Sequence, residues 1–129
     1  MSNSMKIVMI LTSIAVIVAL NLLIGKYTDK IIDNIGVKVD NLKQSLARKD
    51  FDKSKEISKE IREMWENETD KFGYFMDHEE LEKLTLKIMI VDENLKNDDY
   101  ERAIEDSIEV KFLLEHIEEK LKLRLSNVF

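Results

Sequence analysis

Ile7 to Ile24 (IVMILTSIAVIVALNLLI) is a run of 18 residues without a charged side chain. As a helix it would span about 27 Å, close to the roughly 30 Å hydrocarbon core of a bilayer. Lys6 and Lys26 bracket it, and Tyr27 stands where an interfacial aromatic would. Thr12 and Ser13 are expected to return their hydroxyls to the helix backbone, and Asn21 lies near one end. A cleaved signal peptide needs small residues at the cut, and Val18-Ala19-Leu20-Asn21 is a poor one. A buried core helix of this length needs a larger protein around it. Residues 1–27 therefore read as an N-terminal tail plus an uncleaved transmembrane anchor. Met5 is a second candidate start.

Past residue 28 the pattern changes to narrow helical stripes. Ile32, Ile35, Val39, Leu42 and Leu46 step by 3, 4, 3 and 4; Leu81, Leu84, Ile88, Val91 and Leu95 repeat them 49 residues later. Phe51, Ser54, Ser58, Ile61, Trp65, Glu68 and Phe72 align at that offset with Tyr100, Ala103, Ser107, Val110, Leu114, Ile117 and Leu121. A 3.5-residue spacing is the seam of helices crossing at about 20°. Four such stripes predict an all-α antiparallel four-helix bundle over 28–129, with hairpins at 28–74 and 77–123 and a short C-terminal tail. Six of 21 positions are identical between 46–66 and 95–115, where composition alone gives roughly two, so the hairpins read as an internal repeat. Descent by duplication and convergent patterning both remain open. The 49-residue period disfavours a tetratricopeptide solenoid, whose period is about 34.

The connectors carry cap signals. Asp50 before Phe51 and Asp99 before Tyr100 are placed to take amide hydrogens of the following helix while the aromatic packs under the turn, and Asp98 with Glu101 fits a capping box. At the joint, Gly73 is expected to end the second helix in a left-handed conformation. Asp77 is expected to cap the third helix with Glu80 closing a box, and Met76 to staple against Leu81. Phe72, Tyr74 and Phe75 read as a core plug, and Trp65 as a core anchor. Leu121-Lys122-Leu123-Arg124-Leu125 alternates, an extended signature that suggests a lid over the bundle end.

Composition narrows the function classes. Three Gly, no Pro and 36% charged residues agree with a nearly all-helical chain. Without cysteine there are no disulfides, thiolate metal sites or Cys nucleophiles. The net charge is −6, and the 26 carboxylates after residue 28 stand against 18 basic residues there, about −8, which argues against nucleic acid. Most carboxylates lie off the stripes as solvated faces, and no Asp-x-Asp-x-Asp-Gly calcium loop occurs. Ser58 and Ser107 lie mid-stripe outside any Gly-rich elbow and read as packing. His78 and His116 fall at one level of an antiparallel hairpin, near Asp77, and form a weak candidate metal site; neither His-x-x-x-His nor Glu-x-x-His spacing accompanies them. No catalytic residue and no cofactor is expected.

One resemblance covers nearly the whole chain. The anchor, Asp50-Phe51, Trp65, Phe75-Met76-Asp77-His78-Glu79-Glu80, Asp99-Tyr100 with Ala103, Leu113-Leu114-Glu115-His116-Ile117 and Leu125-Ser126-Asn127-Val128-Phe129 together resemble a family of small single-span proteins of spore-forming bacteria. That family is a domain of unknown function, number 4363, and the resemblance implies membrane anchoring and a helical fold without an activity. The Ser-Asn-Ser stretch before Met5 departs from it. Counted strictly, the positive-inside rule leans toward a cytoplasmic bundle, whereas the family's anchor-first arrangement favours a single-pass membrane protein with the bundle outside the cytoplasm. The expectation is a non-enzymatic interaction or scaffold module at the cell envelope, with an unidentified protein partner. The alternative is a ligand-sensing bundle built on the aromatic joint, or a metal-binding one.

Overall fold

The computed structural model describes residues 2–74 and 76–128, the last four by backbone only. Four helices follow in order: α1 (Asn3–Ala47), α2 (Phe51–Phe72), α3 (His78–Lys96) and α4 (Tyr100–Val128), with no strand among the described residues. Each packs against its two neighbours around a square, α1 on α2, α2 on α3, α3 on α4 and α4 on α1. Val39, Ile61, Ile88 and Leu114, one from each helix, are all buried, as are the other seam residues of α1 and α3. Trp65 and Phe72 are the largest fully buried side chains.

α1 is a single 45-residue helix. Its apolar window has a mean hydropathy of 2.8 and no buried residue, while the same helix from Thr28 to Leu46 supplies one wall of the core. One N-terminal helix is thus long and apolar enough to cross a membrane. Thr12 and Ser13 donate to the carbonyls of Val8 and Met9, each at 2.8 Å, so both hydroxyls are satisfied without a partner helix.

The repeat is visible bond for bond. In the first turn, Arg48, Lys49 and Asp50 donate backbone N–H groups to the carbonyls of Gln44, Leu46 and Ser45. In the second, Asn97, Asp98 and Asp99 donate to Glu93, Leu95 and Asn94, each pair shifted by 49. Both are Schellman closures, with Lys49 (φ 60°) and Asp98 (φ 57°) in the left-handed position usually taken by glycine. Lys38–Glu60 at 2.8 Å joins α1 to α2, and its equivalent Lys87–Glu109 at 2.6 Å joins α3 to α4.

Five local expectations are corrected. Tyr74 does not join a core plug: it lies on the turn beyond the end of α2 and is 91% exposed, while Phe72 is fully buried. Gly73 has φ −58° and lies in the right-handed region, because the chain runs on past α2 in a further turn, with Met76 N–H bonded to the Phe72 carbonyl at 2.9 Å. Asp98 does not cap α4 with Glu101; the Asp99 carboxylate accepts from Arg102 N–H at 3.3 Å, while Asp98 occupies the left-handed turn position. Glu80 does not close a box on Asp77, since it reaches across to Lys120 and His116 of α4. The 121–125 segment is not extended: α4 continues to Val128, because Leu121 prolongs the α4 seam and Leu, Lys and Arg are strong helix formers.

Candidate functional site

His78 begins α3 and sets its Nε2 3.1 Å from Glu82 on the next turn, in an exposed position. His116 on α4 lies 3.4 Å from the Glu80 carboxylate, its ring parallel to Phe112 with centroids 6.3 Å apart. The pairing of Glu80 with Lys120 shows that the starts of α3 and the end of α4 share one level. A shared level is not a shared face, however. His78 lines the groove toward α2, beside Thr69 and Asp70, whereas His116 lies on the outer side of α4. Asp77 spends its carboxylate on the Glu79 N–H at 3.2 Å. Among the described residues no group of three His, Asp or Glu side chains is disposed as a metal-ligand set.

The structural residues fall into place as follows. Asp50 accepts from the Lys53 N–H at 3.3 Å and Asp99 from Arg102, so both start their helices. Phe51 and Tyr100, one residue further on, stack face to face across the distal end with centroids 3.6 Å apart. Lys55 Nζ and the Tyr100 hydroxyl both donate to Asp98, at 2.8 and 2.7 Å, tying the two turns together. Those donors hold the Asp98 carboxyl below the usual carboxylate range, and the same contact pushes Lys55 up. Trp65 packs against Phe72 with centroids 5.6 Å apart and donates its indole N–H to Thr85 Oγ1 at 2.7 Å. Its ring is therefore committed to the core and presents no face to a ligand. Phe75 lies outside the described residues.

A buried polar network went unforeseen. The Asp92 side chain of α3, only 8% exposed, takes Arg62 of α2, Lys96 one turn on at 3.2 Å, and the Ser58 hydroxyl at 3.4 Å. Both of its oxygens are engaged inside the bundle. Lys111, 49 residues after Arg62, reaches from α4 to Asp40 at 3.0 Å and to the Gly36 carbonyl at 3.3 Å on α1. A Cβ at Gly36 would stand 3.3 Å from that ammonium, so the missing side chain leaves room for it. Each hairpin thus sends one cation from its second helix into the first helix of the other. The only signal for this in the sequence is a charged residue directly beside each seam position, Arg62 next to Ile61 and Asp92 next to Val91.

Space in the core is small. A cavity of about 10 Å³ lies mid-bundle between Val39, Ile61, Ile88 and Val110, with Ser58 and Ser107 on its wall. That is room for roughly one water. The Ser107 hydroxyl already donates to the Ile104 carbonyl at 2.8 Å. The larger hollows, about 300 to 540 Å³, are open surface grooves at the α1–α2 turn, along α4 near His116 and between α2 and α3 near His78.

Residues 22–128 match the family model described as "Domain of unknown function (DUF4363)". No curated protein matches the chain, and no solved structure does. The match opens at Leu22, near the end of the apolar run, and continues through the bundle to the end of α4, so it covers the bundle and only the last three residues of that run. The chain belongs to the DUF4363 family.

Proposed function

We propose that this protein is a single-pass, membrane-anchored helical interaction module that holds its acidic bundle at the cell envelope and catalyses no reaction of its own. The observation that carries this reading is the division of α1. Its run from Ile7 to Ile24 is uncharged and bare of any covering side chain, while the helix from Thr28 to Leu46 is built into the core. A soluble protein rarely leaves so large an apolar surface uncovered. Support for interaction comes from α4, where Ile104, Ile108 and Phe112 form an outward stripe at four-residue spacing, Phe112 being 66% exposed. A bundle outside the cytoplasm is part of this proposal, and what supports it is the resemblance to single-span proteins whose anchor comes first.

Alkaline extraction of membranes tests the anchor: the native chain should stay with the lipid, and a variant carrying Ile14→Glu with Ile17→Glu should be released. Release of both would overturn the reading. A reporter active only in the cytoplasm, fused after Phe129, should be silent; activity there would reverse the orientation. A photo-crosslinker at residue 112 should give a discrete adduct in native membranes that a crosslinker at Glu101 does not. Identical patterns at the two positions would remove the interaction surface, and an adduct of twice the chain mass would identify a second copy as partner.

A further inference from the structure

The register of the bundle on α1 determines which parts of the chain lie level with the end of the apolar run. Along the α1–α2 contact, Lys38 pairs with Glu60 at 2.8 Å, and eleven residues nearer the span Tyr27 donates to Glu68 at 2.8 Å, with Lys71 Nζ 3.4 Å from the same hydroxyl. Tyr74 follows within one turn of Lys71, its N–H bonded to the Lys71 carbonyl at 3.4 Å. Three residues beyond Lys71, which reaches Tyr27, the antiparallel register puts it level with Ile24 at the end of the run. On the other side, α4 runs antiparallel to α1 from Lys111 at Asp40, so Lys122, eleven residues on and paired with Glu118 at 3.0 Å, falls at the level of Asp29. Leu123 and Arg124 come next, and the helical backbone continues to Val128, about 6 Å further toward the span. Two separate elements thus arrive at the height where the apolar run ends.

What they expose there is the residue set of a headgroup layer. Tyr74 is 91% exposed and Leu123 62%, and Lys26, Lys71 and Lys122 fall within about two turns of them by the same register. A tyrosine keeps its ring in the interfacial zone with its hydroxyl wet, and lysine stems lie along apolar surface while their ammonium groups reach water. We propose that this end of the bundle is seated in the headgroup layer of the same bilayer that α1 crosses, through Tyr74 of the α2–α3 joint and Leu123 of α4. The chain then meets lipid at three places. The inference rests on the anchor reading above, and what singles out lipid as the occupant is continuity: a spanning α1 puts a bilayer at this height, and any protein partner would have to displace it. Asp29, Asp70, Asp77 and Glu119 lie at the same end, so the contact is aromatic and aliphatic, and zwitterionic lipid suffices.

The cysteine-free chain lets one thiol be placed at a time. Full-length Ile17→Cys, Tyr74→Cys, Leu123→Cys and Asn97→Cys variants, each carrying an environment-sensitive fluorophore, are reconstituted in phosphatidylcholine vesicles. Unchanged helical circular dichroism confirms the fold of each. The label at 17 should be quenched by a spin label deep in the acyl chains. Labels at 74 and 123 should be quenched by a spin label near the headgroups, and shielded from an aqueous quencher about twofold or more relative to 97, at the distal turn. If 17 is in hydrocarbon while 74 and 123 are as open to water as 97, the seating is overturned and the anchor stands. If 17 itself is open to the aqueous quencher, the anchor fails and the seating falls with it.

Discussion

Thr28 and Asp92 are both buried polar residues, and their surroundings give them opposite consequences. Thr28 is 1% exposed, and its Oγ1 has no hydrogen-bond partner among the described residues. Thr28→Val keeps the shape and removes the unmet hydroxyl, so it should raise stability by about 1 kcal/mol, read as a higher urea midpoint for the full chain in detergent micelles. Asp92 sits between two cations. Asp92→Ala leaves Arg62 and Lys96 facing a partly buried gap and should cost about 3 kcal/mol in the same measurement, whereas Asp92→Leu combined with Arg62→Met should come close to neutral. Equal losses for the single and double variants would show that packing, not charge, governs the site. Neither residue's role was legible beforehand. The stripe pattern says which positions are apolar, but a residue one step off the seam can turn inward or outward at the same spacing, and only the partner helix decides.

At the scale of elements, the two connectors share one geometry and differ in the residue that takes the left-handed position. Lysine gains nothing from φ near 60°, whereas Asp98 tolerates it and collects two hydrogen bonds there. Lys49→Gly should therefore stabilise the chain by about 1 kcal/mol, while Asp98→Gly should give no gain or a loss. Thermal melts of the two variants side by side check the sign. The seams, the antiparallel order and the cap positions 50, 77 and 99 were readable because each depends on neighbours three or four residues away. The failures share a cause. Gly73, Glu80 and the 121–125 alternation were read by local rules, yet Glu80 is drawn to Lys120 on another helix and the tail is carried on by a helix already formed.

For the whole molecule, the ion pairs set a pH window. Asp98 and Glu60 are lowered by Lys55 and Lys38, so their contribution is present above the ordinary values of 3.8 and 4.5 and is lost as pH falls through the lowered ones. Lys55 is raised by Asp98 and Lys87 by Glu109, so their contribution is full below 10.5 and lost as pH climbs through the raised values. Asp33 works the other way. Burial and then Glu118 raise it, so the folded chain loses ground as pH rises through its range. Urea midpoints should be highest between about pH 5 and 10, and Asp33→Asn should steepen the rise on the acid side. An unchanged acid limb in Asp33→Asn would remove Asp33 from this account. The proposed interaction surface was less legible than the fold, because an exposed stripe such as Ile104, Ile108 and Phe112 looks in sequence like any other apolar spacing.

The absence of a break in α1 carries a mechanical consequence. From Ile24 to Ala47 the helix rises about 34 Å. On the proposed anchoring of the Ile7–Ile24 run, the stacked Phe51–Tyr100 cap is held at that stand-off like the tip of a fixed post, and any tilt or rotation of the anchored segment swings the tip by the same angle. Lengthening α1 before Thr28 by 18 residues, five whole turns, would lift the cap while keeping its heading, so reach and direction could be tuned separately.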